Sequence, residues 1–292
     1  MTTPDILMNG KVCMVTGATS GMGEMTARRL AELGATVILV GRSRERGDET
    51  LRRIVAATGN TSVELMLADL SSQAQIRQLA QRFKSRYQQL HVLVNNAGAW
   101  ITTRQECIDG IEMTFALNHL GYFLLTNLLL DTLKASAPAR IINVASYGHA
   151  SGRIDFDDLQ GRREYNGMQA YRQSKLANVL FTYELARRLA GTGVTVNAVN
   201  PGLVATRFGL NNFGVIPARI VNLLIRVYGL VGANAEQGAQ TSIYLATSPN
   251  VEGITGKYFE KQTAVPSSEE SYDPATASRL WQVSEAMTGL SA

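Results

Sequence analysis

The feature of this sequence that most restricts its fold is a regular alternation of short apolar runs with segments of helical periodicity. Strands are predicted at residues 12–15, 36–40, 63–67, 92–94, 141–144, 195–200 and 257–259, and helices at 23–33, 52–57, 76–87, 112–133, 171–189 and 243–247. Parallel strands need crossover connections, which are usually helices lying on both faces of the sheet. The pattern therefore predicts a doubly wound α/β fold with a parallel sheet.

Length and charge restrict the class of protein. At 292 residues, with 45% hydrophobic and 18% charged side chains, the chain has an ordinary globular composition, and no low-complexity linker divides it. We expect one domain over residues 1–292, since open parallel sheets often fill this length. The net charge of +4 is spread along the chain without a block of like charges, which does not indicate nucleic-acid binding.

Neither the cysteines nor the histidines show the spacing of a metal site. Cys13 and Cys107 are isolated and are expected to be reduced thiols, and the three histidines are scattered, so no metal is expected. The amino-terminal residues lack the pattern of a targeting sequence, and no apolar window of spanning length was found. These observations predict a cytoplasmic protein without an integral membrane segment.

A glycine-rich turn joins the first predicted strand to the first helix. It contains Gly17, Gly21 and Gly23, with Thr19, Ser20 and Met22 between them. Glycines at this junction let the backbone approach a pyrophosphate, whose charge would lie at the amino terminus of the helix. Glycine triplets also occur in structural turns, but the flanking strand and helix favour a Rossmann-like dinucleotide site.

The second strand indicates which dinucleotide is preferred. A cofactor with a free ribose 2′-hydroxyl usually meets an Asp or Glu roughly 20 residues after the glycine turn. The strand here ends in Val40, Gly41 and Arg42, with no carboxylate. A guanidinium can bind a 2′-phosphate through charge-assisted hydrogen bonds, so the sequence predicts NADP(H). Arg44 and Arg46 are weaker candidates, and the alternative is that Arg42 only faces solvent.

A tyrosine and a lysine lie one helical turn apart in the helix predicted at 171–189. Tyr171 and Lys175 project from one face, where an ammonium group would lower the phenol pKa toward neutrality. Ser146 follows the fifth strand and Asn96 follows the fourth, at the carboxyl edge where doubly wound sheets bind ligands. Each feature alone is unspecific, but together they predict a catalytic site.

With these residues in place, the whole chain resembles the short-chain dehydrogenase/reductase family. The matching motifs are Thr16-Gly17-x-x-x-Gly21-x-Gly23, Asp69-Leu70, Asn95-Asn96-Ala97-Gly98, Asn118, Ser146, Tyr171-x-x-x-Lys175 and Asn200-Pro201-Gly202-x-Val204-x-Thr206. Further runs resemble the retinol dehydrogenase-like branch: Asp158-Leu159-Gln160-Gly161, Ser174-Lys175-Leu176-Ala177-Asn178 and Leu280-Trp281-x-x-Ser284-Glu285.

The resemblance implies a role for each matching residue. Tyr171 would exchange the proton of the substrate oxygen, Ser146 would orient that oxygen, and Lys175 would bind the nicotinamide ribose. Asn118 would hold a water molecule linking Lys175 to solvent. Contacts with the cofactor would come from Gly17, Thr19, Ser20, Gly21, Met22, Gly23, Arg42, Asp69, Leu70, Asn96, Ala97, Gly98, Tyr171, Lys175, Pro201, Gly202, Val204 and Thr206.

The substrate side is less defined. Ser146, Tyr147 and Tyr171 are the expected substrate contacts, and Tyr147 stands where the branch more often has a small residue. Tyr165 is a competing tyrosine, but Gln169 occupies the position of its lysine partner, so we expect Tyr165 to pack within its loop. The 25-residue separation of Ser146 and Tyr171 is similar to that of the retinol dehydrogenase-like branch.

An apolar segment at residues 217–231 needs a cover. The resemblance implies a small helical substrate lid at about 204–235, and a subunit contact or a membrane-surface helix is the alternative. The helices that begin near Glu112 and Tyr171 carry apolar surface that would pair across a two-fold axis, so a homodimer or homotetramer is expected.

These features predict an NADP(H)-dependent oxidoreductase, such as a carbonyl reductase, that interconverts a carbonyl and an alcohol on a fairly apolar small molecule. One alternative is a catalytically silent NADP(H)-binding regulatory or scaffold protein. The presence of Asn118, Ser146, Tyr171 and Lys175 argues for catalysis. Another alternative, an epimerase or dehydratase, is disfavoured because the second domain of such enzymes is missing.

Overall fold

The computed structural model describes residues 7–202 and 234–290. Their centre is one eight-stranded sheet with the strand order β3-β2-β1-β4-β5-β6-β7-β8. The strands are β1 Val12–Thr16, β2 Thr36–Gly41, β3 Val63–Leu67, β4 Val92–Asn95, β5 Ala139–Val144, β6 Val194–Asn200, β7 Lys257–Glu260 and β8 Thr263–Val265. Strands β1 to β7 pair in parallel, and β8 pairs with β7 in the antiparallel sense.

Helices connect most of these strands, as the sequence predicts. They are α1 Gly21–Glu32, α2 Arg44–Thr58, α3 Gln73–Arg86, α4 Met113–Ala135, α5 Gly167–Arg188, α6 Ala235–Thr247 and α7 Pro274–Thr288. A π-helical turn, Ala116–Leu120, interrupts α4 and contains Asn118. The prediction of a doubly wound α/β fold is confirmed.

The strand order indicates which edge of the sheet can hold a ligand. It reverses between β1 and β4, so the connections of these strands leave in opposite directions and open a crevice at their carboxyl ends. Core strands flank this crevice, and the side chains of Met14, Val15, Leu93 and Val94 are fully buried. The crevice therefore has rigid walls.

Several helices begin earlier than their apolar periodicity predicts, because polar residues cap them. Ser43 accepts a hydrogen bond from Arg46 N–H and starts α2, and Asn166 accepts from Met168 and Gln169 N–H to start α5. Asn234 forms a capping box with Gln237 at the start of α6. Such caps satisfy the first free backbone amides of a helix, so they fix its start independently of the core pattern.

Helix α7 packs against α4 and α5. Trp281 lies 4.9 Å from Phe123 and 5.8 Å from Phe181 between ring centroids, and His119 Nε2 lies 2.9 Å from Ser284 Oγ. Apolar surface of α4 and α5 that we expected at a subunit contact is thus covered within the chain. Self-association stays a prediction. The part of α4 and α5 that α7 covers is not available for a subunit contact.

Within the described residues, one helix passes a length and composition test for a membrane span. It is Met113–Ala135, with a mean hydropathy of 1.3, but 72% of that apolar window is buried inside the fold. The prediction that no apolar window reaches spanning length is therefore corrected for this helix. Because the helix is covered by α3, α5 and α7, it has the environment of a core helix.

Three sequence predictions fall outside the part of the chain that the structure describes. They are the lid at about 204–235, apart from its last two residues, the apolar segment 217–231, and the cofactor contacts of Val204 and Thr206. These stay predictions.

Candidate active site

Four strand ends and one helix face meet at the crevice. The glycine turn follows β1, Asn96 follows β4, Ser146 lies two residues after β5, and Pro201 follows β6. Helix α5 crosses this edge and brings Tyr171 and Lys175 to the end of β5. The structure thus brings together the residues that the sequence analysis placed at one site.

At two glycines of the turn, a side chain would collide with neighbouring backbone atoms. A Cβ at Gly23 would lie 2.3 Å from Gly17 O, and one at Gly17 would lie 2.8 Å from Ala97 Cα. Gly17 and Gly21 also have positive φ angles of 64° and 58°, which other residues rarely adopt. Ser20 is the N-cap residue of α1, but its side chain makes no capping hydrogen bond. This cradle fits a pyrophosphate at a helix amino terminus, as a nicotinamide dinucleotide requires.

Thr16 and Asn96 join the ends of β1 and β4. Thr16 Oγ1 accepts hydrogen bonds from Asn96 N–H at 2.8 Å and Ala97 N–H at 3.1 Å, while Asn96 Nδ2 donates to Thr16 O at 2.8 Å. The Asn96 amide is therefore used within the chain. The expected contact of Asn96 with the adenosine stays a prediction, and its observed effect is to fix the floor of the crevice.

Two expected adenosine contacts lie at neighbouring strand ends. Arg42 is exposed directly after β2. Asp69 Oδ1 accepts from Ser71 N–H at 2.9 Å and Ser71 Oγ at 2.7 Å, which fixes the turn before α3. Leu70 is buried beside it. The contacts of Arg42, Asp69 and Leu70 with the cofactor stay predictions.

The hydroxyls of Ser146 and Tyr171 lie side by side at the end of β5. Ser146 Oγ accepts a hydrogen bond from Gly148 N–H at 3.1 Å and is hydrogen-bonded to the Tyr171 hydroxyl. A Cβ at Gly148 would be only 3.4 Å from the Tyr171 ring, so the glycine lets this ring approach closely. Two hydroxyls at one point can hold a single substrate oxygen between them.

Lys175 lies below this pair. Its side chain is 3% exposed, and its Nζ donates to Val144 O at 3.0 Å and lies 5.7 Å from the centroid of the Tyr171 ring. Burial lowers its pKa from 10.5 to about 7. Gly98 closes the other side, because a Cβ there would lie 3.7 Å from Nζ.

The expected lowering of the Tyr171 pKa is wrong for the protein alone. Burial raises the pKa of this phenol above its ordinary value and outweighs the opposing hydrogen bond of Ser146. The physical reason is that burial disfavours both charged forms, the phenolate and the ammonium. Tyr171 therefore starts as a protonated phenol, which is the form of a proton donor.

The side chain of Asn118 makes three hydrogen bonds within the protein. Its Nδ2 donates to Ala99 O at 2.8 Å and Ser174 Oγ at 3.0 Å, and its Oδ1 accepts from Ala99 N–H at 2.8 Å. The Asn118 side chain thus fastens the loop after β4 to α5. The proposed water relay stays untested.

Sequence reasoning assigned no role to Asn178, which lies two turns after Tyr171. Its Nδ2 donates to Asn118 O at 2.9 Å and its Oδ1 lies 3.4 Å from His119 Nδ1. Asn178 therefore fixes the π-helical turn at Asn118. The sequence offered one signal for this role: Asn178 follows Tyr171 by seven residues, which places both on the same face of the helix.

Three further observations concern Tyr165, the metal-ligating side chains and Tyr147. The Tyr165 hydroxyl donates to Ile101 O and Glu112 Oε1, both at 3.0 Å, so its partners lie outside the loop within which we expected it to pack. No cluster of three metal-ligating side chains occurs within residues 7–202 and 234–290. Tyr147 is 73% exposed next to Ser146, where it can contact a substrate.

The buried lysine gives a test of the site on stability alone. Because the folded pKa is below the unfolded value, charged Lys175 opposes folding below pH 7, and this penalty disappears as the pH rises toward 10.5. We expect Lys175→Met to raise the free energy of unfolding at pH 7 by roughly 1–3 kcal/mol, allowing for the lost hydrogen bond to Val144. Urea unfolding without cofactor measures this.

The gain in stability should shrink between pH 7 and pH 10. Lys134→Met, at an exposed lysine of α4, is the matched control and should change the free energy by less than about 0.5 kcal/mol. An equal effect of both substitutions, or a loss of stability in Lys175→Met, would contradict the conclusion that burying charged Lys175 opposes folding.

Known proteins share this sequence and architecture. The profile of the short chain dehydrogenase family matches residues 11–213. Retinol dehydrogenase 12 of Mus musculus is 42% identical over 288 residues, which cover 99% of this chain and 89% of the relative. Retinol dehydrogenase 14 of Homo sapiens is 43% identical over 300 residues, which cover 97% of this chain and 88% of that protein.

The chain belongs to the short-chain dehydrogenase family.

Solved structures with a similar fold also match this chain. A protein of Mycobacterium paratuberculosis has a TM-score of 0.78 at 31% identity and covers 98% of this chain and 96% of its own. The complex of RhlG from Pseudomonas aeruginosa with NADP has a TM-score of 0.68 at 28% identity and covers 88% of this chain and 97% of its own. This short-chain dehydrogenase is therefore an oxidoreductase of the retinol dehydrogenase-like branch, which uses a nicotinamide cofactor and interconverts alcohols and carbonyls.

Proposed function

We propose that this short-chain dehydrogenase transfers hydride between NADP(H) and a fairly apolar carbonyl or alcohol, with Tyr171 as the acid and base. The observation that carries the proposal is the hydrogen bond between the Tyr171 and Ser146 hydroxyls above a buried Lys175, beside the glycine cradle. The bound nicotinamide supplies the hydride in reduction and accepts it in oxidation.

The chain's own residues handle the oxygen and the proton. In reduction, Ser146 and Tyr171 donate hydrogen bonds to the substrate oxygen and polarise the carbonyl. The Tyr171 proton then passes to this oxygen as negative charge develops there, which is general acid catalysis. In oxidation the phenolate takes the alcohol proton, so the same hydroxyl serves both directions.

Lys175 supports the phenolate from below. Its Nζ is held by Val144 O and lies one helical turn from Tyr171. A pKa of about 7 lets Lys175 gain or lose a proton near neutrality. Lys175 can therefore become charged when Tyr171 becomes negative, which stabilises the phenolate when it is most needed.

The preference for NADP(H) is proposed from Arg42, and it is tested by reversing the charge. We expect Arg42→Glu to raise the KM for NADPH roughly 10- to 100-fold, because a charge-assisted pair is replaced by repulsion of the 2′-phosphate. The KM for NADH should stay within about threefold. Initial rates at varied cofactor concentration measure both values.

Arg52→Glu is the control for this test. It makes the same charge change at an exposed position of α2, farther from the end of β2. It should leave the KM for NADPH nearly unchanged. An unchanged KM in Arg42→Glu would refute the cofactor assignment and leave the oxidoreductase assignment intact.

The substrate is proposed only by class. The relatives are named for retinol, an apolar alcohol, so retinol and retinal are the first pair to assay. A screen of NADPH oxidation with aldehydes and ketones of increasing chain length tests the proposal. Turnover with none of them, together with tight NADPH binding, would favour the silent binding protein instead.

A further inference from the structure

We propose that His149 is a positioning residue of the active site, whose neutral imidazole connects the backbone of Ser146 to the backbone of Ser268. The inference rests on the proposed function, since it gives Ser146 a role in catalysis. It goes beyond that function because no histidine is among the site residues that the sequence predicts.

The hydrogen bonds of His149 determine its tautomer. Its Nδ1 lies 2.8 Å from Ser146 O, and its Nε2 lies 3.1 Å from Ser268 N. A backbone N–H can only donate and a carbonyl can only accept. Nε2 must therefore be the unprotonated nitrogen, and Nδ1 must carry the hydrogen that it donates to Ser146 O.

The surroundings of His149 favour this neutral form. The side chain is 3% exposed, and its ring lies 4.6 Å from the ring of Tyr258 between centroids. Burial lowers the pKa of His149 below its usual value. A second proton would also point at the Ser268 N–H and break that contact. The imidazole is thus a fixed connection at neutral pH.

This connection acts on the residue that holds the substrate oxygen. Ser146 O accepts from both the backbone N–H of His149 at 3.1 Å and its ring Nδ1. Ser146 Oγ meanwhile accepts from Gly148 N–H, which leaves the hydroxyl hydrogen free to donate. With its carbonyl held from two directions, Ser146 keeps its Oγ at Tyr171 instead of rotating with the short helix Tyr147–Ser151.

The other end of the connection lies in a distant part of the chain. Ser268 precedes the short helix Glu269–Tyr272, between β8 and α7, and is 119 residues from His149. The active-site serine is therefore positioned by the carboxyl-terminal part of the described chain. Preorganised donors of this kind contribute to kcat, because they need no rearrangement when charge develops.

Two substitutions separate the hydrogen bond from the packing. His149→Phe keeps a ring against Tyr258 but loses both hydrogen bonds, and we expect kcat to fall about tenfold with the substrate KM within about threefold. His149→Asn places an amide nitrogen at the position of Nδ1, so it can still donate to Ser146 O. We expect it to recover most of kcat, although its packing is worse.

His91→Phe is the matched control. His91 is also a buried histidine that holds backbone, because its Nδ1 accepts from Val12 N–H at 3.0 Å, but it precedes β4 at the opposite edge of the sheet. It should lower the melting temperature without changing kcat. If kcat followed melting temperature in all three variants, His149 would have only a structural role and the inference would be wrong.

A spectroscopic measurement needs no variant and no activity. Long-range ¹H–¹⁵N correlation of the wild-type imidazoles should show His149 with a protonated Nδ1 and an unprotonated Nε2 at pH 7. The opposite tautomer or a charged ring would overturn the inference. A wild type inactive with every carbonyl would instead count against the proposed function, and the tautomer would still decide the geometry.

Discussion

Replacing Tyr171 with phenylalanine is expected to lower kcat for carbonyl reduction by roughly 100- to 10,000-fold, because it removes the only proposed proton donor to the substrate oxygen. The ring of Tyr171 packs over Gly148, and phenylalanine keeps this contact. NADPH binding, followed by fluorescence titration, should therefore change by less than about threefold. Single-turnover oxidation of NADPH measures the loss directly.

Tyr165→Phe is the control for this prediction. Tyr165 is also a partly buried tyrosine, with its hydroxyl against Ile101 O and Glu112 Oε1, but it lies outside the reacting group. Its replacement should affect stability more than kcat. A Tyr171→Phe enzyme that keeps more than about a tenth of its activity would remove Tyr171 from the acid and base role.

Of the substitutions proposed for this protein, Trp281→Ala is expected to lower the free energy of unfolding the most. Trp281 is 5% exposed, contacts Phe123 and Phe181, and has the Arg188 guanidinium 4.0 Å from its ring centroid. Deleting a buried tryptophan costs about 3–5 kcal/mol of unfolding free energy through lost transfer and packing. Guanidinium unfolding followed by circular dichroism measures it.

Trp281→Phe distinguishes the ring from its polar contact. It keeps an aromatic ring against Phe123 but loses the indole N–H that donates to Glu285 Oε1 at 2.7 Å. We expect a loss of about 1–2 kcal/mol. If alanine cost no more than phenylalanine, α7 would not contribute to the core in solution.

The sequence predicted the sheet because its signal is local. Most of the predicted strands are short, mainly apolar runs, which are typical of buried parallel strands. Helix α7 was missed because its buried face includes Ala277, Ser284 and Thr288, which are small or polar and weaken the apolar periodicity. Strand β8 was missed because it is short and mostly exposed.

The same contrast applies to the site. Tyr171 and Lys175 were predictable because a spacing of four on a helix fixes their common face. The contacts of Asn118 with Ala99, and of His149 with Ser268, join residues that are 19 and 119 positions apart. Such pairs depend on tertiary packing, which no local pattern encodes.

The position of α7 has a consequence for biosynthesis. Phe123 and Phe181 leave the ribosome well before Trp281, which follows Phe181 by 100 residues. Until then, part of the aromatic surface of α4 and α5 has no cover, and exposed apolar surface of this kind promotes aggregation. The nascent chain should therefore depend on chaperones most strongly in the interval before α7 is translated.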